Sequence, residues 1–448
     1  MRPAKKTVRR NCLALFAFSL CAALVAGAMP ALLTLTVDPY ELISDRSRPT
    51  SISELAEKDH YPLWKLARYA PGRHDTVVLG DSRARALRDK YWHEIGMPGA
   101  INLAYGGATV PEIYETFNLI KADPSIRNFV VGIQLRSMDE SHKGGMNRVP
   151  EAVGLLDDRI AYLKNWSVAK TALKVFKAEN PEMVERLETL RPTLVAAADA
   201  AELGPEGRVS LRTLLSPEVC FACGLPRDLR PLPRRRGYGQ YDLAGLPLWD
   251  GRGLSTGWSM TFAPRHMALY DVTLVDRVLP AKMQRQIDRN GPADWRGFTL
   301  SARYWSYLEE MAAWARRNGK NMIFVIPPTV AEMQATIQRH GLADLNIALR
   351  VELAKLGTVV DFDYPNALTD TPENFSDAYH FRPTVARAMV GELALRLSDE
   401  EAVAKRVAKR RGPMRCPDAD ADPAALSITE NVVMADESNC RIWSRRAL

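Results

Sequence analysis

A chain of 448 residues, 46% hydrophobic and 25% charged, holds enough apolar material for a large core, which excludes a disordered or fibrous protein. Its net charge is +7, but Arg2, Lys5, Lys6, Arg9 and Arg10 carry five of those charges at the N-terminus and leave the rest near +2. A body so nearly balanced has no field for a phosphate backbone, which excludes nucleic-acid binding.

The five basic residues precede an uncharged apolar run from Cys12 to Val37. About 20 apolar residues span a bilayer, and flanking positive charge marks the cytoplasmic side. The run therefore reads as a transmembrane signal anchor over 12–37 behind a cytoplasmic segment, 1–11. It predicts single-pass attachment to the inner membrane, with the body facing the periplasm or cell exterior. The small residues Ala26-Gly27-Ala28 leave a cleaved signal peptide as the alternative, and both readings export the body.

Residues 38–72 read as a polar, turn-rich linker with one short helix over "PLWKLARYA". From there apolar runs alternate with amphipathic stretches. "TVVLG", "AINLAYGG" and "NFVVGIQL" are three strands, separated by helix-like "SRARALRDKYWHEIG" and by "VPEIYETFNLIKAD" with its early Pro111. The pattern stops near 140 and resumes near 300. "SARYWSYLEEMAAWARRNGK", "VAEMQATIQRHG" and "LNIALRVELAKLG" are helices, "NMIFVIPP" and "TVVDFDYP" are strands, and a helix begins at "RPTVARAM". Such alternation predicts a three-layer α/β/α fold around a five-stranded parallel sheet, its core split over 73–140 and 296–411.

Residues 141–295 read as an insertion, helix-rich at first, then rich in Gly, Pro and Arg; 412–448 form a tail. The run Arg234-Arg235-Arg236 is a solvated face or a polyanion contact. In an exported protein Cys220, Cys223, Cys416 and Cys440 are disulfide candidates, with Cys220-x-x-Cys223 a local staple and Cys416 and Cys440 closing the tail. A redox-active Cys220-x-x-Cys223 is the weaker reading, because no strand and helix frame it. No second Cys-x-x-Cys and no His-x3-His follows, so neither metal nor cofactor is expected.

In open α/β sheets ligands sit beyond the carboxyl ends of the strands. Ser82, in Gly80-Asp81-Ser82-Arg83, falls at such an end and opens a helix. It is either a nucleophile or a helix N-cap. A serine nucleophile needs a base. Among His60, His74, His93, His142, His266, His340 and His380, only His380 lies between the fifth strand and a helix. Asp377 stands three residues before it, at a spacing that lets the carboxylate orient the imidazole.

Gly80-Asp81-Ser82 after the first strand, Asn102 to Gly107 after the second and Asp377-x-x-His380 near the end together resemble the SGNH (GDSL-like) hydrolase superfamily. The likeness covers about 75–140 and 300–395, and implies a flavodoxin-like sheet. By that resemblance Ser82 is the nucleophile, His380 the general base and Asp377 its partner. The Ser82 amide, the Gly107 amide (less readily that of Gly106) and a side-chain amide form the oxyanion hole. Where the family has asparagine in its third block, this chain has Gln134, one methylene longer. Arg83 and Arg85 either hold an acidic sugar or lie on a solvated helix face.

The anchor, the "VDPYELI" stretch and these blocks are similar to membrane-anchored, envelope-facing SGNH-like proteins. The resemblance implies ester hydrolysis or O-acyl transfer on an acylated envelope polysaccharide or related polymer, without a cofactor, and with an acyl-donor protein as a partner. The alternative is an inactive scaffold of an envelope polymer assembly on the same fold.

Overall fold

A computed structural model describes residues 28–44, 48–141, 145–186, 188–189, 260–261, 278–366, 368–397, 432–434 and 442–444. All six cysteines and Arg234 to Arg236 lie outside them, so the disulfide, redox and polyanion expectations fall on undescribed chain. Of the apolar run only 28–37 is described, as helix α1. No helix among the described residues is long and apolar enough to cross a membrane.

The chain divides into two compact units, Met1–His60 with Gly154–Asp242, and Tyr61–Val153 with Leu243–Leu448. In the first, α2 (Thr50–Asp59) packs on the long helix Trp166–Glu179. Val37, Ala172 and Val175 form its core with Leu33, Ile52, Leu55 and Phe176. This corrects two expectations. The linker holds a helix over Thr50–Asp59, because Ile52 and Leu55 give its polar sequence an apolar edge to bury. The helices at 159–179, read from the sequence as part of one insertion over 141–295, group with the segment before residue 61.

The second unit is a sheet between helices. In chain order it runs α3 (Tyr61–Ala67), β1 (Thr76–Leu79), α4 (Ser82–Arg85), α5 (Asp89–Glu94), β2 (Ala100–Asn102), α6 (Val110–Ile120) and β3 (Asn128–Gly132). The helices α7 (Val149–Asp157), α8 (Arg159–Lys164) and α9 (Trp166–Glu179) follow β3 in the chain. The chain returns with β4 (Met260–Thr261), α10 (Ala281–Trp295), α11 (Ala302–Arg317), β5 (Asn321–Ile326), α12 (Ala331–Arg339), α13 (Ala343–Leu356), β6 (Thr358–Asp361) and α14 (Pro383–Leu397).

The sheet order is β2-β1-β3-β5-β6-β4. The first five strands are parallel, in the 2-1-3-4-5 order of flavodoxin-like sheets. The sixth, β4, is an antiparallel edge on β6 and was not expected, because two residues inside a segment without periodicity leave no strand signal. In β1 and β3 every residue is buried, as a sheet covered on both faces requires.

Alternate strand residues feed two cores. Val78, Val130, Ile323, Val325 and Val360 meet Trp92 of α5, Ile287 of α10, Met333 of α12 and Met389 of α14. On the other face Phe129 meets Phe117 of α6 and Trp314 of α11 edge-on, at 5.0 and 6.3 Å between ring centres. Helix α10 thus belongs to the sheet core, and the insertion ends earlier than residue 295, because Met283 and Ile287 recur at helical spacing and are buried.

Candidate active site

β1 and β3 are adjacent, with Leu79 paired to Val131, so the segments after them emerge side by side. Gly80 turns the chain with φ +140°. A Cβ there would meet the Ala84 Cβ at 2.6 Å and the Gly132 carbonyl oxygen at 2.9 Å. Only glycine lets α4 start so tightly against the neighbouring strand.

Asp81 is the N-cap of α4, and its Oδ1 accepts from the Arg83 amide at 2.9 Å. Ser82 is therefore the first helical residue and not the cap, and its hydroxyl is left for other work. That hydroxyl lies 2.9 Å from Nε2 of His380, 298 residues away in sequence. His380 sits in a loop closed by the Phe375–Phe381 bridge and by the Ser376 amide donating to the His380 carbonyl at 2.8 Å.

Asp377 is buried and aims Oδ1 at three donors: the amides of Tyr379 and His380, each at 3.1 Å, and Nδ1 of His380 at 2.8 Å. With Nδ1–H donating to the carboxylate, Nε2 presents its lone pair to the Ser82 hydroxyl. Burial pushes the Asp377 carboxyl up, but the His380 hydrogen bond and charge, the Tyr379 amide and the Lys282 charge outweigh it and hold the group at about 2. The carboxylate thus stays ionised where it faces the imidazole.

Of the other described histidines none is a hydrogen-bond partner of Ser82. His74 stacks on Tyr69, His93 approaches the Ala100 carbonyl, and His340 approaches that of Thr336. His142 and His266 lie outside the described residues.

The other expected site residues fall as follows. Gly107 lies just past β2 with φ +63°. Asn102 is structural, since its side-chain amide donates to the Ala84 and Leu87 carbonyls at 2.8 Å each. Gln134 lies past β3, and its Nε2 donates to Asp81 Oδ2 at 2.6 Å, which commits one of its two amide hydrogens.

Arg83 corrects the expectation. It is 3% exposed, so it is neither a solvated helix residue nor presented to a sugar. It pairs with Asp81 at 3.6 Å, because α4 turns it inward beside that carboxylate.

Sequence reasoning missed a set of contacts that hold Tyr379, the neighbour of His380. Tyr379 donates its hydroxyl to Asp294 at 2.6 Å, and Arg136 pairs with Asp294 at 2.8 Å while standing over the Tyr379 ring. Burial raises the Asp294 carboxyl above its ordinary value although Arg136 opposes it. No motif spacing links residues 136, 294 and 379, so only the fold reveals them. Among the described residues no group of three or more His, Cys, Asp or Glu is placed to hold a metal ion.

No protein-family model matches the chain, and no curated protein matches it.

Proposed function

We propose that this protein is a serine-dependent ester hydrolase or O-acyltransferase of the SGNH type, acting on an acylated envelope polysaccharide or related polymer. The observation that carries the reading is the relay from the Ser82 hydroxyl through the His380 imidazole to the buried Asp377 carboxylate. A hydroxyl whose proton has a positioned acceptor, itself oriented by a carboxylate, is an activated nucleophile.

The steps follow from that relay. Nε2 of His380 takes the Ser82 proton as Oγ attacks the acyl carbon, and the carbonyl oxygen becomes an oxyanion. The Ser82 and Gly107 amides and the remaining Gln134 amide hydrogen are its candidate donors. His380 then returns the proton to the departing alcohol oxygen, which leaves the acyl group on Ser82. In the second half His380 takes a proton from the acceptor, whose oxygen attacks the acyl carbon, and returns it to Ser82 Oγ as the acyl–serine bond breaks. Water as acceptor gives an esterase; a sugar hydroxyl gives a transferase. In the reading proposed, an N-terminal anchor over 12–37 holds the body outside the inner membrane, which the uncharged run behind five basic residues supports.

The test is hydrolysis of p-nitrophenyl acetate by the full chain, with Ser82→Ala as control. Hydrolysis lost in that variant supports the reading, and a folded wild type that does not exceed it overturns the reading. The second reading, an inactive scaffold on this fold, is favoured by one observation: the Gln134 amide is engaged with Asp81. A Ser82→Ala variant that fully restores the phenotype of a deletion strain would support the scaffold.

A further inference from the structure

The catalytic loop fixes its own shape, since Asp377 takes the amides of residues 379 and 380. It does not thereby fix its distance to Ser82, which sits on a different strand connection 298 residues away. That distance needs an outside hold: the Val330 amide donates to the Ala378 carbonyl at 3.3 Å, and one helix supplies three further contacts.

Three residues along α10 touch three successive residues of the loop. Lys282 Nζ stands 3.6 Å from Asp377 Oδ2, a buried oxygen with no hydrogen-bond partner. Gln286 Oε1 accepts from the Ala378 amide at 3.0 Å. Asp294 Oδ2 accepts from the Tyr379 hydroxyl at 2.6 Å. These positions are separated by four and eight residues, which keeps them on one broad side of a helix. The adjoining stripe of Met283, Ile287, Gly291 and Trp295 is buried. Trp295 donates to the Thr336 hydroxyl of α12 at 2.8 Å, and a Cβ on Gly291 would meet the Thr336 methyl at 2.8 Å. The helix is therefore seated in the core on one stripe and on the catalytic loop on the next.

We infer that α10 is the positioning element of the catalytic loop, with Gln286 as its central contact. Gln286 touches neither Ser82 nor His380 through any hydrogen bond; it holds the Ala378 amide and so sets where Nε2 of His380 stands against the Ser82 hydroxyl. The inference rests on the esterase or acyltransferase reading. A displacement of about 1 Å at a reacting group costs on the order of 100-fold in rate, so partial loosening of this contact should cost about 10-fold or more in kcat.

The experiment compares the full-length wild type with Gln286→Leu, which removes the acceptor, and Gln286→Glu, which keeps one. Hydrolysis of p-nitrophenyl acetate gives kcat and KM, and amide hydrogen exchange by mass spectrometry reads residues 376–381. Gln286→Leu should lower kcat about 10-fold or more with KM unchanged and speed exchange in that segment; Gln286→Glu should restore both to within about twofold of wild type. Wild-type kcat in Gln286→Leu overturns the inference even if exchange rises, as does a Gln286→Glu variant no better than Gln286→Leu. An inactive wild type is a different result: it overturns the functional reading, and the inference falls with it.

Discussion

Gln134 donates its side-chain amide to Asp81 at 2.6 Å, which ties the segment after β3 to the residue immediately before Ser82. The glutamine steadies the N-cap of α4, and under the proposed function its other amide hydrogen serves the oxyanion. Loss of a single oxyanion donor costs about 100-fold to 1000-fold in rate. Gln134→Ala should lower kcat/KM by about 100-fold while the protein stays folded by circular dichroism. A decrease under about threefold would mean that the side chain only steadies Asp81.

Asp377 gives a pH signature of stability. Its carboxyl is held at about 2 against an ordinary 3.8. Because the folded value is the lower one, the contribution is complete above about pH 4 to 5 and is lost as pH falls through about 2. The shift corresponds to about 2 kcal/mol. Urea unfolding should therefore find wild type gaining over Asp377→Asn by about 2 kcal/mol between pH 2 and pH 5. A difference that is flat across that window would contradict the pairing.

Arg83 separates a structural cation from a substrate contact. It is 3% exposed and pairs with Asp81, whose other carboxylate contacts are neutral donors. Arg83→Met should destabilise the fold by roughly 1–3 kcal/mol in urea, since a half-buried carboxylate loses its counter-charge. The KM of the molecules that remain folded should not change. A raised KM with unchanged stability would restore a role in substrate binding.

Gly80 carries the close approach of β1, β3 and α4. At φ +140°, with a Cβ contact of 2.6 Å to Ala84, it leaves no room for a side chain. Gly80→Ala should cost roughly 2–5 kcal/mol, from backbone strain and overpacking together. Near-wild-type stability in urea would show that α4 can shift without cost.

Much of this architecture is legible in the sequence, for physical reasons. "TVVL", "NFVVG" and "NMIFVI" are apolar after their first residue because both faces of a parallel sheet are buried, and each run ends where the sheet ends. Ser82, Asp377 and His380 are legible because the proposed chemistry calls for those residue types in the connections between a strand and the next long helix. Helix α2 is not, because its sequence is polar on average and its apolar edge is defined only by the helix it meets. The inward turn of Arg83 is hidden as well, since the four residues of α4 are too few to show in the sequence which side of the helix meets the core. Gln286 is hidden for a third reason. It binds a backbone amide 92 residues away, a contact that imposes no motif on either partner.

The central claim is that His380 activates Ser82 across the 2.9 Å that separates them. Covalent labelling of the full-length protein with a fluorophosphonate, mapped by peptide mass spectrometry, tests it most directly. Label is expected on Ser82 in wild type, none on that position in Ser82→Ala, and labelling slowed by about 1000-fold or more in a folded His380→Ala variant. A folded wild type that takes no label at Ser82, or a His380→Ala variant that labels at the wild-type rate, would contradict it.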